Sequence, residues 1–199
     1  FRLHDPHDAS EYISAQLFKD NTICLCEPGA FRFFEKVFTE IKSMYTEVNL
    51  PMKTFNIGAD ELPFGVWQKS PICEEYLKQN PDINTYQSLY DESVKRLNRI
   101  ISDSGAQMAG WEDVLLIHSK KSQSEIEVNE NLFDLDFVPS VWNNSWGGGR
   151  EDMIYKLNNL GFQAIMSNSA AFYFDMTDDM DMENSGLNWS GYVNYIDSW

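Results

Sequence analysis

Two adjacent acids, Asp60 and Glu61, combine residue type and spacing in a way that suits chemistry. They close the segment FNIGADE (55–61), in which glycine and alanine allow a sharp turn after an extended stretch. Because adjacent side chains diverge, one carboxylate can face a bond to be broken while the other reaches a neighbouring group. The pair therefore predicts general acid catalysis. Taken alone, such a pair is more often solvated, ion-paired or helix-capping.

Polar and aromatic side chains also lie at the ends of three later segments. Short extended candidates span 52–57, 107–111, 138–143 and 163–167, and we expect each to form a strand. The carboxyl ends of parallel strands lie at one edge of a sheet, so the side chains that end these segments should gather there. They are Asp60 and Glu61, Glu112 and Asp113, Asn143 and Trp146, and Tyr173 and Asp175.

Helices are predicted between these strands. Apolar side chains recur every three or four residues over 31–45 and over 84–104, and a third helix over 150–160 is ended by Gly161. Strands and helices therefore alternate, which predicts right-handed βαβ units and a parallel sheet. We expect an α/β fold of the (β/α)8 barrel type, because the polar groups come from the ends of several units.

An open, doubly wound sheet is the alternative architecture. Against a nucleotide-binding sheet of this kind, the chain contains neither GxGxxG nor GxxxxGK[ST], and the glycine run 147–149 has no phosphate-binding lysine. The acidic stretch 125–136 is predicted to be a solvated loop rather than a site.

The composition indicates one globular unit. Of the 199 residues, 43% are hydrophobic and 14% are aromatic, enough for a sizeable core. The formal charge of -16 opposes nucleic-acid phosphates and anionic membrane surfaces, so no nucleic-acid partner is expected. No apolar run reaches the roughly 18 residues needed to cross a bilayer, so no membrane insertion is expected. The aromatic content suits sugars, whose C–H faces stack on rings.

The sequence does not decide whether its three cysteines form a disulfide. Cys24, Cys26 and Cys73 form no metal-like CxxC pair. One disulfide is possible, joining Cys73 to Cys24 or to Cys26. The alternative is that all three are small buried hydrophobes.

Four motifs, in this order, resemble the family 20 glycoside hydrolases, the β-N-acetylhexosaminidases, and most closely their bacterial chitobiase-like members. The similarity begins near residue 20 and continues to residue 199. It implies hydrolysis of terminal non-reducing GlcNAc or GalNAc from glycans or chitooligosaccharides, without metal or organic cofactor. It also implies a secreted, periplasmic or lysosome-like location, and a homodimer is common among relatives. The motifs are NIGADE (56–61), AGWEDV (109–114), SVWNNSWGGGRED (140–152) and SNSAAFYFDM (167–176).

The resemblance implies catalytic roles for three residues. Glu61 would protonate the glycosidic oxygen and later deprotonate water. In this family the nucleophile is the 2-acetamido oxygen of the substrate, a substrate-assisted exception to the two-carboxylate scheme. Asp60 would orient that amide and stabilise the charge of an oxazolinium-like intermediate, and Tyr173 would hydrogen-bond the acetamide oxygen.

The resemblance implies that four further residues bind the substrate. Trp111 and Trp142 resemble the walls of a pocket for the acetamide methyl group. Trp146 would line the same mouth, and Asp175 would accept hydrogen bonds from sugar hydroxyls. Taken singly, a Trp is usually core packing and a Tyr usually bonds a backbone carbonyl.

The sequence departs from the family pattern in two ways. Asn56 stands where the family usually has histidine, and Ala59 replaces a frequent glycine. A complete barrel takes about 250 residues, so we expect 1–199 to form part of a catalytic barrel domain, its middle and later βα units, and to be inactive alone. Two other functions remain open: a non-catalytic, structural or sugar-binding relative, and a retaining glycosidase with a carboxylate nucleophile.

Overall fold

The protein has an α/β fold built on a parallel sheet. The computed structural model describes residues 3–19, 22–117, 126–145, 147–177, 179–181, 183 and 185–192. Its strands pair in chain order, each parallel to the next. The α/β fold and parallel sheet expected from the sequence are therefore confirmed. The strands are β1 (Thr54–Asn56), β2 (Gln107–Trp111), β3 (Phe137–Val141) and β4 (Ile165–Met166).

Helices precede, separate and follow the strands. The helices expected over 31–45, 84–104 and 150–160 are present as α1, α3 and α4, with shifted ends. The sequence pattern did not predict α2, in which only Cys73 is buried, or the short α5. The helices are α1 (Pro28–Glu47), α2 (Pro71–Gln79), α3 (Tyr86–Ser102), α4 (Met153–Asn159) and α5 (Ser169–Phe172).

Local sequence signals account for the ends of the longer helices. Pro28 lies in the first turn of α1, where a missing N–H costs nothing, and the Glu27 side chain accepts the Gly29 N–H. Thr85 and Ser88 exchange hydrogen bonds in a capping box at the start of α3. These caps fix where each helix begins relative to the sheet.

Aromatic packing anchors α1 on the first strand. The Phe38 ring lies 5.0 Å from that of Phe55 in β1, edge to face. The Phe34 ring contacts the same Phe55 ring at 6.0 Å. Such pairs contribute about 0.5–1.5 kcal/mol beyond their buried area. They hold β1, and the residues that follow it, against the helix.

The ladder between β1 and β2 continues past the end of β1. Ile57 donates its N–H to the Ala109 carbonyl at 2.9 Å, and Trp111 donates to the Gly58 carbonyl at 3.0 Å. A Cβ at position 110 would lie 3.0 Å from that Gly58 oxygen, so only glycine lets the two segments approach this closely. The turn after β1 is thereby held beside the end of β2.

A disulfide joins Cys26, two residues before α1, to Cys73 in α2. It decides between the two pairings that the sequence left open. Cys24 is a free, buried thiol with its Sγ 3.6 Å from Cys73 Sγ, and burial raises its pKa. Because two of the three thiols are covalently joined, the cluster is not a thiolate metal site in this state.

The acids of the acidic stretch are exposed over its described part, 126–136, as expected of a solvated loop, but other side chains of the segment are packed. Val128 bridges to Leu116, and Leu132 is buried in the short 3-10 helix Glu130–Leu132. Asn129 and Asn131 both donate to the carboxylate of Asp91 in α3. Apolar side chains and asparagines among the acids therefore pack this segment onto the helix. Within the described residues, we find no helix with the length and hydropathy to cross a bilayer.

Candidate active site

The turn after β1 carries both predicted acids in an unusual backbone conformation. Gly58, Ala59 and Glu61 all have left-handed φ angles, +67°, +62° and +51°. Non-glycine residues rarely adopt this region, and such strain is concentrated at functional sites. The Asn56 Oδ1 atom accepts the Gly58 N–H at 2.7 Å and stabilises the turn. This bond gives Asn56, the departure from the family pattern, a local structural role.

The two acids differ in their surroundings. Asp60 is exposed, whereas Glu61 is half-buried. The Gln16 amide, which sequence reasoning did not identify, donates to Glu61 Oε2 at 2.6 Å. Both acids border a cavity of about 340 Å³ whose lining is otherwise mostly apolar and includes side chains from α1 and α3. Trp142 and Tyr173 are not among the described residues that line it.

Three aromatic rings form a cluster at the ends of β3 and β4. The Trp142 and Tyr173 rings are almost parallel, 11° apart, with centroids separated by 6.5 Å. The Trp189 ring stands edge-on to both, at 5.9 and 6.2 Å. Trp142 is buried, and Trp189 is 46% exposed. Together they form an apolar wall with one open side, and Trp189 is a member that sequence reasoning did not identify.

The charges of the nearby acids affect the pKa of Tyr173. Its pKa is raised to about 12, first by burial and then by the negative charges of Glu112, Asp60, Glu61 and Asp175. The phenol is therefore protonated at any physiological pH and can donate a hydrogen bond. Asp175 is exposed, and its backbone carbonyl accepts the Leu187 N–H at 2.7 Å.

A second acid pair, Glu112 and Asp113, lies buried in the 3-10 helix that follows β2. The Glu112 carboxylate accepts the backbone N–H groups of Trp142 and Asn143, at 3.1 and 3.2 Å. Burial and then the charge of Asp113 raise the pKa of Glu112 to about 7, partly offset by these hydrogen bonds. The sequence pattern predicts a strand end for this pair but indicates no role for it.

Asp113 completes the support of the aromatic wall. Its Oδ2 accepts the Trp142 indole N–H at 2.7 Å, and its Oδ1 accepts from Arg150 Nη1 at 2.9 Å. The Arg150 guanidinium also lies 3.7 Å from Glu112 Oε1. A cation therefore sits between two buried carboxylates and partly neutralises them.

The structure places the remaining predicted residues as follows. Trp111 is half-buried at the end of β2, bonded through its backbone to the turn that holds the acids. Trp146 lies outside the described residues. Asp60, Glu61 and Asp175 lie close enough to Tyr173 for their charges to act on it, and Trp142 stacks on the same ring. These side chains thus belong to one edge of the sheet.

Carboxylates beside an aromatic wall at the strand ends of a parallel sheet suit carbohydrate chemistry. Residues 4–199 match the model of the catalytic domain of glycosyl hydrolase family 20, and the chain belongs to that family. The resemblance drawn from the four motifs is thereby confirmed.

Individual relatives agree with the family. The chain is 31% identical to the beta-hexosaminidase of Vibrio vulnificus over 204 residues, covering 98% of this chain and 22% of the relative. It is 26% identical to beta-hexosaminidase B of Pseudoalteromonas piscicida over 191 residues, covering 96% and 23%. The chain therefore spans less than a quarter of the length of these two relatives.

A solved structure gives the same result. The family 20 exo-β-N-acetylglucosaminidase from Vibrio harveyi, in complex with N-acetylglucosamine, superposes with a TM-score of 0.76 at 27% identity. The match covers 98% of this chain and 27% of the Vibrio chain. Fold and sequence thus point to the same family over almost the whole of the chain.

Proposed function

We propose that the protein hydrolyses terminal non-reducing N-acetylhexosamine by substrate-assisted, retaining catalysis. One observation carries the proposal: a strained turn presents Asp60 and Glu61 at the strand edge where Tyr173 stacks on Trp142. The charges of both acids act on the Tyr173 phenol, so acids and aromatic wall share one electrostatic environment. The family assignment supports the same reaction.

Glu61 acts as the general acid. Its half-buried carboxyl donates a proton to the glycosidic oxygen, and the resulting carboxylate later takes a proton from the attacking water. The Gln16 amide bonds only one carboxyl oxygen, Oε2. None of the described residues donates a hydrogen bond to the other oxygen, which can carry the transferred proton.

Asp60 acts on the substrate's acetamide rather than on the glycosidic bond. The amide oxygen attacks the anomeric carbon, and the ring that forms carries positive charge on the former amide. A carboxylate beside the amide N–H orients the group before attack and stabilises this charge afterwards. Two successive inversions give net retention of configuration.

Tyr173 and the tryptophans position the acetamide. The protonated phenol donates to the amide oxygen and holds it near the anomeric carbon. Trp142 and Trp111 wall the methyl group, which selects for N-acetylated sugars. Asp175 accepts hydrogen bonds from sugar hydroxyls.

The catalytic unit is a (β/α)8 barrel of which 1–199 forms the middle and later part. Support comes from the sheet itself, since β4 is an edge strand whose Ile165 and Met166 side chains are 51% and 39% exposed. Exposed apolar residues on an edge strand favour coverage by further strands. The Cys26–Cys73 disulfide supports an oxidising location such as the periplasm or the cell exterior.

The test uses the protein with its complete barrel and two kinds of substrate. Glu61→Gln should lower kcat by about 10²–10⁴ on a chitooligosaccharide, whose sugar leaving group needs a proton, the range for loss of a general acid. The loss should shrink on nitrophenyl N-acetyl-β-glucosaminide, whose phenolate leaves with little protonation. Asp60→Asn should impair both substrates alike, because the acetamide attacks in both.

The matched control is Glu40→Gln, an exposed acid on α1 paired with Lys36. It should leave both rates unchanged. Comparable hydrolysis of a glucoside without the acetamide would overturn the proposed mechanism. Sugar binding without turnover by a folded, complete protein would instead favour the non-catalytic relative.

A further inference from the structure

The buried Asp113 carboxylate is fully engaged by two partners. One oxygen accepts the Trp142 indole N–H at 2.7 Å and the other accepts from Arg150 at 2.9 Å. The side chains of Asp113 and Arg150 are only 5% and 17% exposed. Such charge-assisted bonds are short and directional, and with both oxygens in use the plane of the carboxylate is fixed.

The indole has a single N–H donor, and this bond therefore fixes the plane of the Trp142 ring. Nearby, Glu112 holds the backbone of the same residue by accepting its N–H at 3.1 Å. Backbone and ring of Trp142 are thus restrained by two neighbouring carboxylates. If Trp142 only packed in an apolar core, neither the Asp113 nor the Glu112 carboxylate would be needed beside it.

The orientation of the Trp142 ring affects the packing of the other two rings of the aromatic wall. Its ring lies almost parallel to Tyr173 and edge-on to Trp189. A rotation of the indole would open the stack with Tyr173 and enlarge the space beside it. The geometry of the aromatic wall therefore depends on Asp113 and Arg150, which hold the Trp142 ring.

We propose that Asp113 and Arg150 are positioning residues that set which N-acyl group the pocket accepts, by holding the Trp142 ring in place. This inference rests on the proposed function, since it assumes that an acylamino sugar occupies the pocket. A rigid wall rejects an acyl chain one methylene longer than acetyl. A wall that can rotate admits the longer chain and holds the acetyl group less well.

The experiment measures acyl selectivity in the protein with its complete barrel. The readout is the ratio of kcat/KM on the nitrophenyl N-acetyl and N-propionyl β-glucosaminides. One methylene in an apolar pocket changes kcat/KM by about 10–200-fold, so the wild-type ratio should be at least about 10. In Asp113→Asn, which keeps the side-chain shape but loses one acceptor, the ratio should fall towards 1.

Two further variants separate positioning from stability. Asp113→Asn/Arg150→Gln removes both members of the Asp113–Arg150 pair, and the ratio should fall in it as well even if Asp113→Asn fails to fold. The control is Asp152→Asn, which removes an exposed acid that forms an ion pair with Lys156. It should leave the ratio unchanged. In a Trp142→Phe background, Asp113→Asn should have no further effect on the ratio, because the indole N–H is already gone.

The outcomes distinguish the inference from the proposed function. No turnover of the N-acetyl substrate by the wild-type protein would remove the proposed function, and this inference with it. Normal wild-type turnover with an unchanged ratio in the folded Asp113 variants would overturn the inference alone. So would an equal fall of the ratio in the Trp142→Phe background, since Asp113 would then not act through the indole.

Discussion

The buried Glu112 makes the stability of this protein depend on pH in a specific window. Its side chain is fully buried, and its pKa is raised from 4.5 to about 7. Between these values the native protein keeps a proton that the unfolded chain has released, so the contribution of Glu112 to stability is greatest below pH 4.5 and is lost as the pH rises through 7. Each pH unit costs about 1.4 kcal/mol, so the whole window costs about 3 kcal/mol.

Glu112→Gln should remove this dependence. Glutamine is close in shape to the protonated acid and does not titrate, and its amide oxygen can still accept the Trp142 N–H. At pH 4.5 we expect the variant to be about as stable as the wild-type protein, or slightly less stable, because one acceptor is lost. At pH 7.5 the variant should be more stable than the wild type by up to about 3 kcal/mol.

Urea unfolding followed by tryptophan fluorescence at several pH values from 4.5 to 7.5 measures the effect. The difference between variant and wild type isolates Glu112 from the other acids, which titrate in both proteins. Parallel stability curves over this range would refute the reasoning. They would mean that the neighbouring Arg150 and the two backbone N–H groups fully compensate the burial of the charge.

Three other predictions concern residues around the same edge of the sheet. Ala59→Gly should raise the free energy of unfolding by about 0.5–1 kcal/mol, because left-handed strain at alanine exceeds the entropy cost of glycine; urea unfolding measures it. Gln16→Leu should lower kcat/KM about 10-fold, the value of one hydrogen bond to a charged group, with Tm unchanged. Cys73→Ser should cost about 4 kcal/mol of stability, since the disulfide closes a loop with a sequence separation of 47; Cys24→Ser should cost much less, and an equal cost would contradict the pairing.

Much of the fold follows from local patterns in the sequence. The 3.6-residue period of Phe34, Phe38 and their neighbours predicts α1, and its apolar face does pack on β1. The helix α2 gives no such period, because only Cys73 is buried in its nine residues. Its position depends on the disulfide, a long-range contact that spacing alone could not assign.

Sequence patterns predict the residues of the site only where these residues follow a recognisable strand. Asp60, Glu61, Tyr173 and Asp175 follow segments that the sequence predicts as strands, whereas Trp189 follows no predicted strand. A single tryptophan late in the chain is more often part of a core than of a binding wall, so its residue type alone does not indicate this position. The support of Trp142 by Asp113 is a tertiary contact between β2 and β3 units that sequence spacing does not encode.

The most direct test of the account is the release of nitrophenol from nitrophenyl N-acetyl-β-glucosaminide by the protein with its complete barrel, with and without a thiazoline mimic of the cyclic intermediate. Substrate-assisted catalysis predicts release that the thiazoline inhibits, because the mimic fills the acetamide pocket in its reacted shape. Release that the thiazoline leaves unchanged would point to a carboxylate nucleophile and contradict the role given to Asp60.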